Sequence, residues 1–100
     1  MKREEVLDTA KKIVCSDRNE QYGDPERNFE TIAALWTNYL RAAGILKDDD
    51  PTVCMRIAPK DVAAMMVLLK VARIATGKYK ADSWIDIAGY AACGSESDGG

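Results

Sequence analysis

The chain contains no histidine. That absence removes the side chain most used as a general base near neutral pH, and with it every Ser-His or Cys-His nucleophile. Any chemistry falls to carboxylates, lysine, tyrosine or a bound metal. Cysteine is scarce as well. Cys15, Cys54 and Cys93 are odd in number, widely spaced, and form no Cys-x-x-Cys pair. Neither a zinc site nor a disulfide framework is suggested, and reduced thiols are expected. Basic runs are missing too: 14 Lys and Arg are scattered among 16 Asp and Glu, for a net charge of −2. Direct nucleic-acid binding is therefore not expected. No apolar run reaches the roughly 20 residues that cross a bilayer. The opening MKREEVLDTAKK lacks the continuous apolar core of a signal peptide. No membrane association is expected, and a cytoplasmic location follows as the simplest expectation.

What is present is helical periodicity, with no strand pattern and no internal repeat. One hundred residues, 47% of them hydrophobic, suffice for one small domain. Four helical segments are predicted. The first, about residues 3–15, spaces Val6, Ala10, Ile13 and Val14 along one side. The second has the clearest start, with Asp24 as cap, Pro25 at the first helical position and Glu26 in the first turn. Phe29, Ile32, Ala33, Trp36, Tyr39 and Leu40 then form a wide apolar stripe to about Ala43, and Gly44 ends it. Residues 45–58, with the acidic run KDDDP, read as an irregular, mobile connection. Pro59 and Asp61 open a third helix that runs to about Thr76, with Gly77 as its stop. Asp82 starts the fourth, whose inward face is expected to hold Trp84, Ile87, Ala88 and Ala91. The fold class is thus an all-α compact bundle of about four helices, ending in an antiparallel helical hairpin. Residues 1–94 are expected to form one all-α domain, and residues 95–100 a disordered tail.

The third helix is unusual. Residues 62–75, VAAMMVLLKVARIA, carry twelve apolar side chains in fourteen positions, interrupted only by Lys70 and Arg73. A helix apolar on nearly every face is expected inside a bundle. The two cations lie on one side of it and are costly to bury without anions. Asp82, Asp86 and Tyr90 recur every four residues on the next helix. Counted outward from a loop centre near Tyr79, the hairpin sets Lys70 opposite residues near Ala88, and Arg73 opposite residues near Ile85. One turn either way brings Asp82, Asp86 and Tyr90 within reach. This group reads in two ways. It is either an ion-pair network that sets the register, or a polar cleft whose Lys and Arg engage a phosphate while its carboxylates hold a divalent cation.

Two further groups accompany it. Arg18 and Tyr22, in the connection before the second helix, can fold over the hairpin end and line a pocket. The plain reading of that segment is a helix connection. Glu26 and Glu30 form an i,i+4 pair whose plain reading is a solvated face. If they turn toward Asp82 and Asp86, four carboxylates converge as Mg²⁺ requires, with Asn28 as a neutral alternative ligand. Trp36, Tyr39 and Trp84 read as core, and Met65 and Met66 as core filler.

The strings DRxxxYGxPxxNFxxIAxLWxxYL at 17–40, PxDVAxMMxLLKxAR at 59–73 and DSxxDIAGYA at 82–91 resemble a family of small, uncharacterised phage and prophage proteins. The resemblance implies residence in a bacterial host cell. The Tyr-Gly element, the Lys-x-x-Arg pair and the DSxxDIAGYA ending are also similar to a phage domain associated with nucleotide modification. Asp82-Ser83-x-x-Asp86 followed by Tyr90 looks like the acidic helix of the MazG-like all-α nucleoside triphosphate pyrophosphohydrolases, in which carboxylates on two helices bind Mg²⁺. This chain departs from that pattern, with Asp82-Ser83 in place of Glu-Glu and the wider-spaced Glu26 and Glu30 in place of Glu-x-x-Glu.

The leading expectation is a protein that binds a nucleotide or other phosphorylated small molecule. Arg18, Lys70 and Arg73 would meet phosphate, Tyr22 and Asn28 the remainder, with Asp82, Asp86 and Tyr90 completing the site. The alternatives are a Mg²⁺-dependent pyrophosphohydrolase with Glu26, Glu30, Asp82 and Asp86 as metal ligands, and a non-catalytic interaction module. A homo-oligomer is expected, because four short helices rarely bury this much apolar surface alone.

Overall fold

The computed structural model describes residues 1–17, 25–47 and 55–99, the side chains of Ser16, Asp17, Pro25 and Glu26 excepted. Among them all regular structure is helical. Helix α1 (Arg3–Lys12) runs into a π-helical turn, Ile13–Asp17. Helix α2 (Pro25–Ala42), α3 (Pro59–Thr76) and α4 (Ala81–Ser97) follow. Helices α3 and α4 form the antiparallel hairpin. Helix α2 packs on α3, and α1 packs on α4.

The ends follow from local chemistry. The positive φ of Gly44, 75°, lets the chain reverse, and the Ile45 N–H donates to the Leu40 carbonyl at 2.9 Å. At the start of α3 the Ala58 N–H donates to the Asp61 carboxylate at 2.9 Å, which satisfies one orphan donor ahead of Pro59. Asp24, the expected cap of α2, lies outside the described residues, as does the acidic run of the following connection. The last residues of that connection are pinned. The Ile57 N–H donates to Thr37 Oγ1 at 2.9 Å, and that buried hydroxyl donates on to the Ala33 carbonyl at 2.7 Å. Arg41 donates to the Met55 carbonyl.

The core centres on Phe29, Ala33, Val62 and Ala63, with Ile32, Trp36, Ile57, Met66, Tyr90 and Cys93 packed around it. Along α3 the positions Ala63, Val67, Lys70 and Ile74 step by four, three and four residues, the spacing of a helix–helix seam, and all four are at least partly buried. The approach is close: a Cβ added at Gly94 would lie 2.9 Å from that of Ala63. That contact and the Lys60–Asp98 ion pair at 3.4 Å carry α4 through Ser97, past the residue 94 at which the domain was expected to end.

Three expectations about burial need correction. The inward face of α4 is Ile85 and Gly89, with Asp86, Ile87, Ala88, Tyr90 and Cys93 partly covered, whereas Trp84 and Ala91 are exposed. The polar group turns inward because Asp86 has a cation to meet, and Gly89 because α1 passes close. Tyr39 belongs to the apolar stripe of α2 in sequence but points to solvent. Helix α3 is not enclosed: Met65, Leu68, Leu69 and Val71 are all more than two-fifths exposed. Four short helices cannot surround one of their own number. The molecule is accordingly elongated, 50 × 30 × 22 Å, with a radius of gyration of 15.6 Å against about 13 Å for a compact chain of this length.

Among the described residues Val62 is the one large side chain with no solvent exposure, between α2 and α4. Val62→Ala is expected to cost roughly 2 kcal/mol through lost burial and a partly unfilled cavity. Thermal unfolding monitored by circular dichroism should show a midpoint lowered by about 10 °C.

Candidate functional site

The site begins with a charge. In the α3 seam only Lys70 is polar among apolar neighbours, and its ammonium meets Asp86 Oδ2 of α4 at 2.8 Å. The two side chains are 12% and 24% exposed, so both ions are largely out of water. The pairing falls within the range that counting from the hairpin loop predicts. An ion pair in this setting need not add net stability, but a single partner removed strands the other.

Asp86 also lines a cavity of about 330 Å³, walled by every helix. Ala10 of α1 and Ile13 and Val14 of the π turn form one side, Asn28, Phe29, Thr31 and Ile32 of α2 another. Met66 of α3 and Ile85, Asp86, Gly89, Tyr90 and Cys93 of α4 complete it. Most of this lining is apolar. Phe29 and Tyr90 stand with ring centroids 6.3 Å apart, tilted by 36°. Gly89 suits this close approach, because a Cβ there would lie 3.0 Å from the Val14 side chain, which would have to give by a few tenths of an ångström. The π turn adds one residue to the last turn of α1 and presents Ile13 and Val14 to the cavity, as such insertions often do at binding sites.

The sequence-expected residues divide. Asn28, Asp86 and Tyr90 line this one cavity, and Lys70 is bonded to it through Asp86. Arg73 and Asp82 are exposed, and among the described residues no ion pair includes either. Ile74, the neighbour of Arg73, is partly buried in the seam, whereas Arg73 and Asp82 themselves stand in water. The paired cations therefore do not act together. Arg18 and Tyr22 lie outside the described residues, and the side chain of Glu26 is not described. Glu30 is exposed and faces a second, more open cleft beside Arg41, Arg56 and Pro59, on the other flank of α2. The expected convergence of four carboxylates is thus corrected. Glu30 and Asp86 border different clefts, and among the described residues no cluster of three metal-ligating side chains occurs.

Sequence reasoning missed Thr31, Gly89 and the wall supplied by α1. One signal was available. A glycine inside a helix costs about 1 kcal/mol relative to alanine, so Gly89 in the middle of α4 asks for a close neighbour. Nothing in sequence said that the neighbour is Val14.

Comparison with known proteins places these residues in a family. The family described as Domain of unknown function (DUF6378) matches residues 5–98. A "Gene 55 protein" of Mycobacterium phage L5 is 41% identical over 86 residues, covering 86% of this chain and 47% of the phage protein. A "Gene 55 protein" of Mycobacterium phage D29 is 37% identical over 90 residues, covering 90% of this chain and 51% of the phage protein. The chain spans about half the length of these curated relatives. No solved structure matches. These findings carry the phage-family resemblance and neither of the other two.

Lys70→Met should strand the Asp86 carboxylate in a partly buried site and destabilise the fold by roughly 2–4 kcal/mol. The double variant K70M/D86L, which removes both charges, is expected to recover most of that loss in chemical denaturation. Arg73→Met, at an exposed position, should change stability by no more than about 0.5 kcal/mol. A double variant no more stable than K70M would show that the pair has no coupling to measure.

Proposed function

The chain belongs to the DUF6378 family, whose relatives are phage proteins, and we propose that it is a non-catalytic binding domain for a nucleotide or other phosphorylated small molecule. The observation that carries this reading is the 330 Å³ cavity with an ion pair at its wall. Small-molecule sites are concave, mostly apolar, roughly 300–1,000 Å³ in volume, and furnished with a few convergent polar groups. This cavity meets each criterion at the small end of the range, as a flat ring system requires.

In this reading the ring system, not the phosphate, enters the cavity. Its faces meet Phe29, Ile32 and Tyr90, which offer apolar and aromatic contact. Its polar edge meets Asp86. A carboxylate has about four acceptor positions on two oxygens. Lys70 holds Oδ2, and the remaining capacity suits an exocyclic amine or ring N–H. Lys70 in turn positions the carboxylate. Phosphate stays at the mouth, because an apolar wall cannot solvate it. The role first expected of Lys70, direct contact with phosphate, passes to its contact with Asp86. Asp86 itself is committed to an ammonium, which speaks for binding over metal-dependent hydrolysis.

The test is a thermal-shift screen of nucleosides and nucleotides without divalent cations. A ligand at about 100 times its Kd stabilises the folded state by ~2.7 kcal/mol, a rise of several degrees in Tm. Thr31→Phe, at an exposed position on the cavity rim, should abolish the shift and leave the unliganded Tm within a few degrees of the parent. No shift with any base at millimolar concentration would overturn the reading, as would equal shifts in the T31F variant.

A further inference from the structure

The exposed side of α3 has an order that the bundle does not use. Met65, Leu68, Ala72 and Ala75 step by three, four and three residues, a second helix–helix seam on the side away from Ala63, Val67, Lys70 and Ile74. Leu69 and Val71 flank it. All six are exposed, Leu68 at 65%. From Ala64 to Thr76 this side of the helix carries no charge, because Lys70 and Arg73 project from the rest of its circumference. About three helical turns of uncharged, exposed seam are far more than scattered surface leucines.

We propose that this seam is a homodimer interface, in which α3 packs antiparallel against α3 of a second copy. Three observations choose that occupant. The first is size. The chain exposes 7392 Å², whereas a compact monomer of its mass exposes about 5,600 Å². Part of that excess lies on the uncovered side of α3, and a standard interface covers roughly 800 Å² per partner. The second is shape. The seam is bulky in its first half, at Met65 and Leu68, and small in its second, at Ala72 and Ala75. A two-fold axis near Lys70's level along the helix sets Leu68 on Ala72 of the second copy, and Met65 on Ala75. Bulky side chains then enter the gaps over alanines on both sides of the axis, as an isologous interface demands. A parallel pair would set alanine on alanine and leave a void.

The third is charge. Half-buried Asp61, whose carboxylate also accepts the Ala58 N–H, begins this side of α3, and the exposed Lys78 and Lys80 follow its end. Antiparallel packing brings Asp61 of each copy toward the lysines of the other and opposes the two helix dipoles. Parallel packing would set like charges together. The cavity is untouched, since α3 contributes only Met66 to its lining, and Met66 is outside the seam.

The experiment is sedimentation equilibrium on the whole chain and on two variants, L68E and A72K, both at exposed seam positions. The parent should show a concentration-dependent species of about 22 kDa, twice the 11.0 kDa chain, at micromolar concentrations. Each variant alone should remain at 11.0 kDa with an unchanged circular dichroism spectrum. Mixing the two should restore a dimer, because the antiparallel register sets the new glutamate against the new lysine across the axis. A parent that stays monomeric to millimolar concentration overturns the proposal and assigns the face to some other partner. Variants that dimerise as well as the parent place the interface elsewhere. A mixture that stays monomeric, with each variant also monomeric, overturns the antiparallel register.

Discussion

The contact between Lys70 and Asp86 is the constraint on which the rest of the molecule depends. Apolar seams tolerate slippage, because one leucine on another is worth much the same a turn away. A charge in the middle of such a seam does not, since only one register gives it a counterion at 2.8 Å. That register brings Gly94 onto Ala63 at one end of the hairpin and turns Gly89 toward Val14 at its middle. The cavity is a consequence. Asp86, Gly89, Tyr90 and Cys93 share the side of α4 that the pairing directs inward, and α1 and α2 close over them. Specificity, more than stability, is the attested return from a buried polar contact of this kind.

Much of this was legible in sequence, and for identifiable reasons. The number and type of elements follow from periodicity and from strong punctuation: Pro59 with Asp61, Gly44, and the short polar loop before α4. Helix α2 ends at Ala42 and α3 at Thr76, within a residue of what those signals indicate. The meeting of Lys70 with Asp86 was legible because a short loop leaves an antiparallel hairpin little freedom. Arg73 and Asp82 were misjudged by the same reasoning. Spacing tells which charges come within reach of one another, but not which of them the surrounding side chains leave in water.

The failure at α3 is more instructive. A helix with apolar residues at nearly every position has almost no directional preference, so its pattern cannot distinguish enclosure by its own chain from coverage by another. The same holds for Tyr39 and Trp84, each large and aromatic and each exposed. The carboxylates fail for the opposite reason. Glu26 and Glu30 are spaced to share one face of α2, but i,i+4 carboxylates are equally a solvated face, and only the rotation of α2 decides. That rotation is set by Phe29, Ala33 and Thr37, whose burial turns Glu30 toward the far cleft.

Helix α3 therefore has two seams with different grammars. One side, Ala63, Val67, Lys70 and Ile74, holds a single charge that names its partner within the chain. The other, Met65, Leu68, Ala72 and Ala75, holds none. A seam without a polar residue is unspecific unless shape supplies the selection, and the passage from bulky to small along this one is self-complementary when a copy is run backwards. Because Met66 alone of α3 reaches the cavity, ligand binding and association need not compete. They are not independent either. Both seams belong to helix α3, and Lys70, which meets Asp86, lies on the first of them. Any coupling between cavity and interface would pass through that single element, and its sign would depend on whether the second copy prefers α3 held or loose.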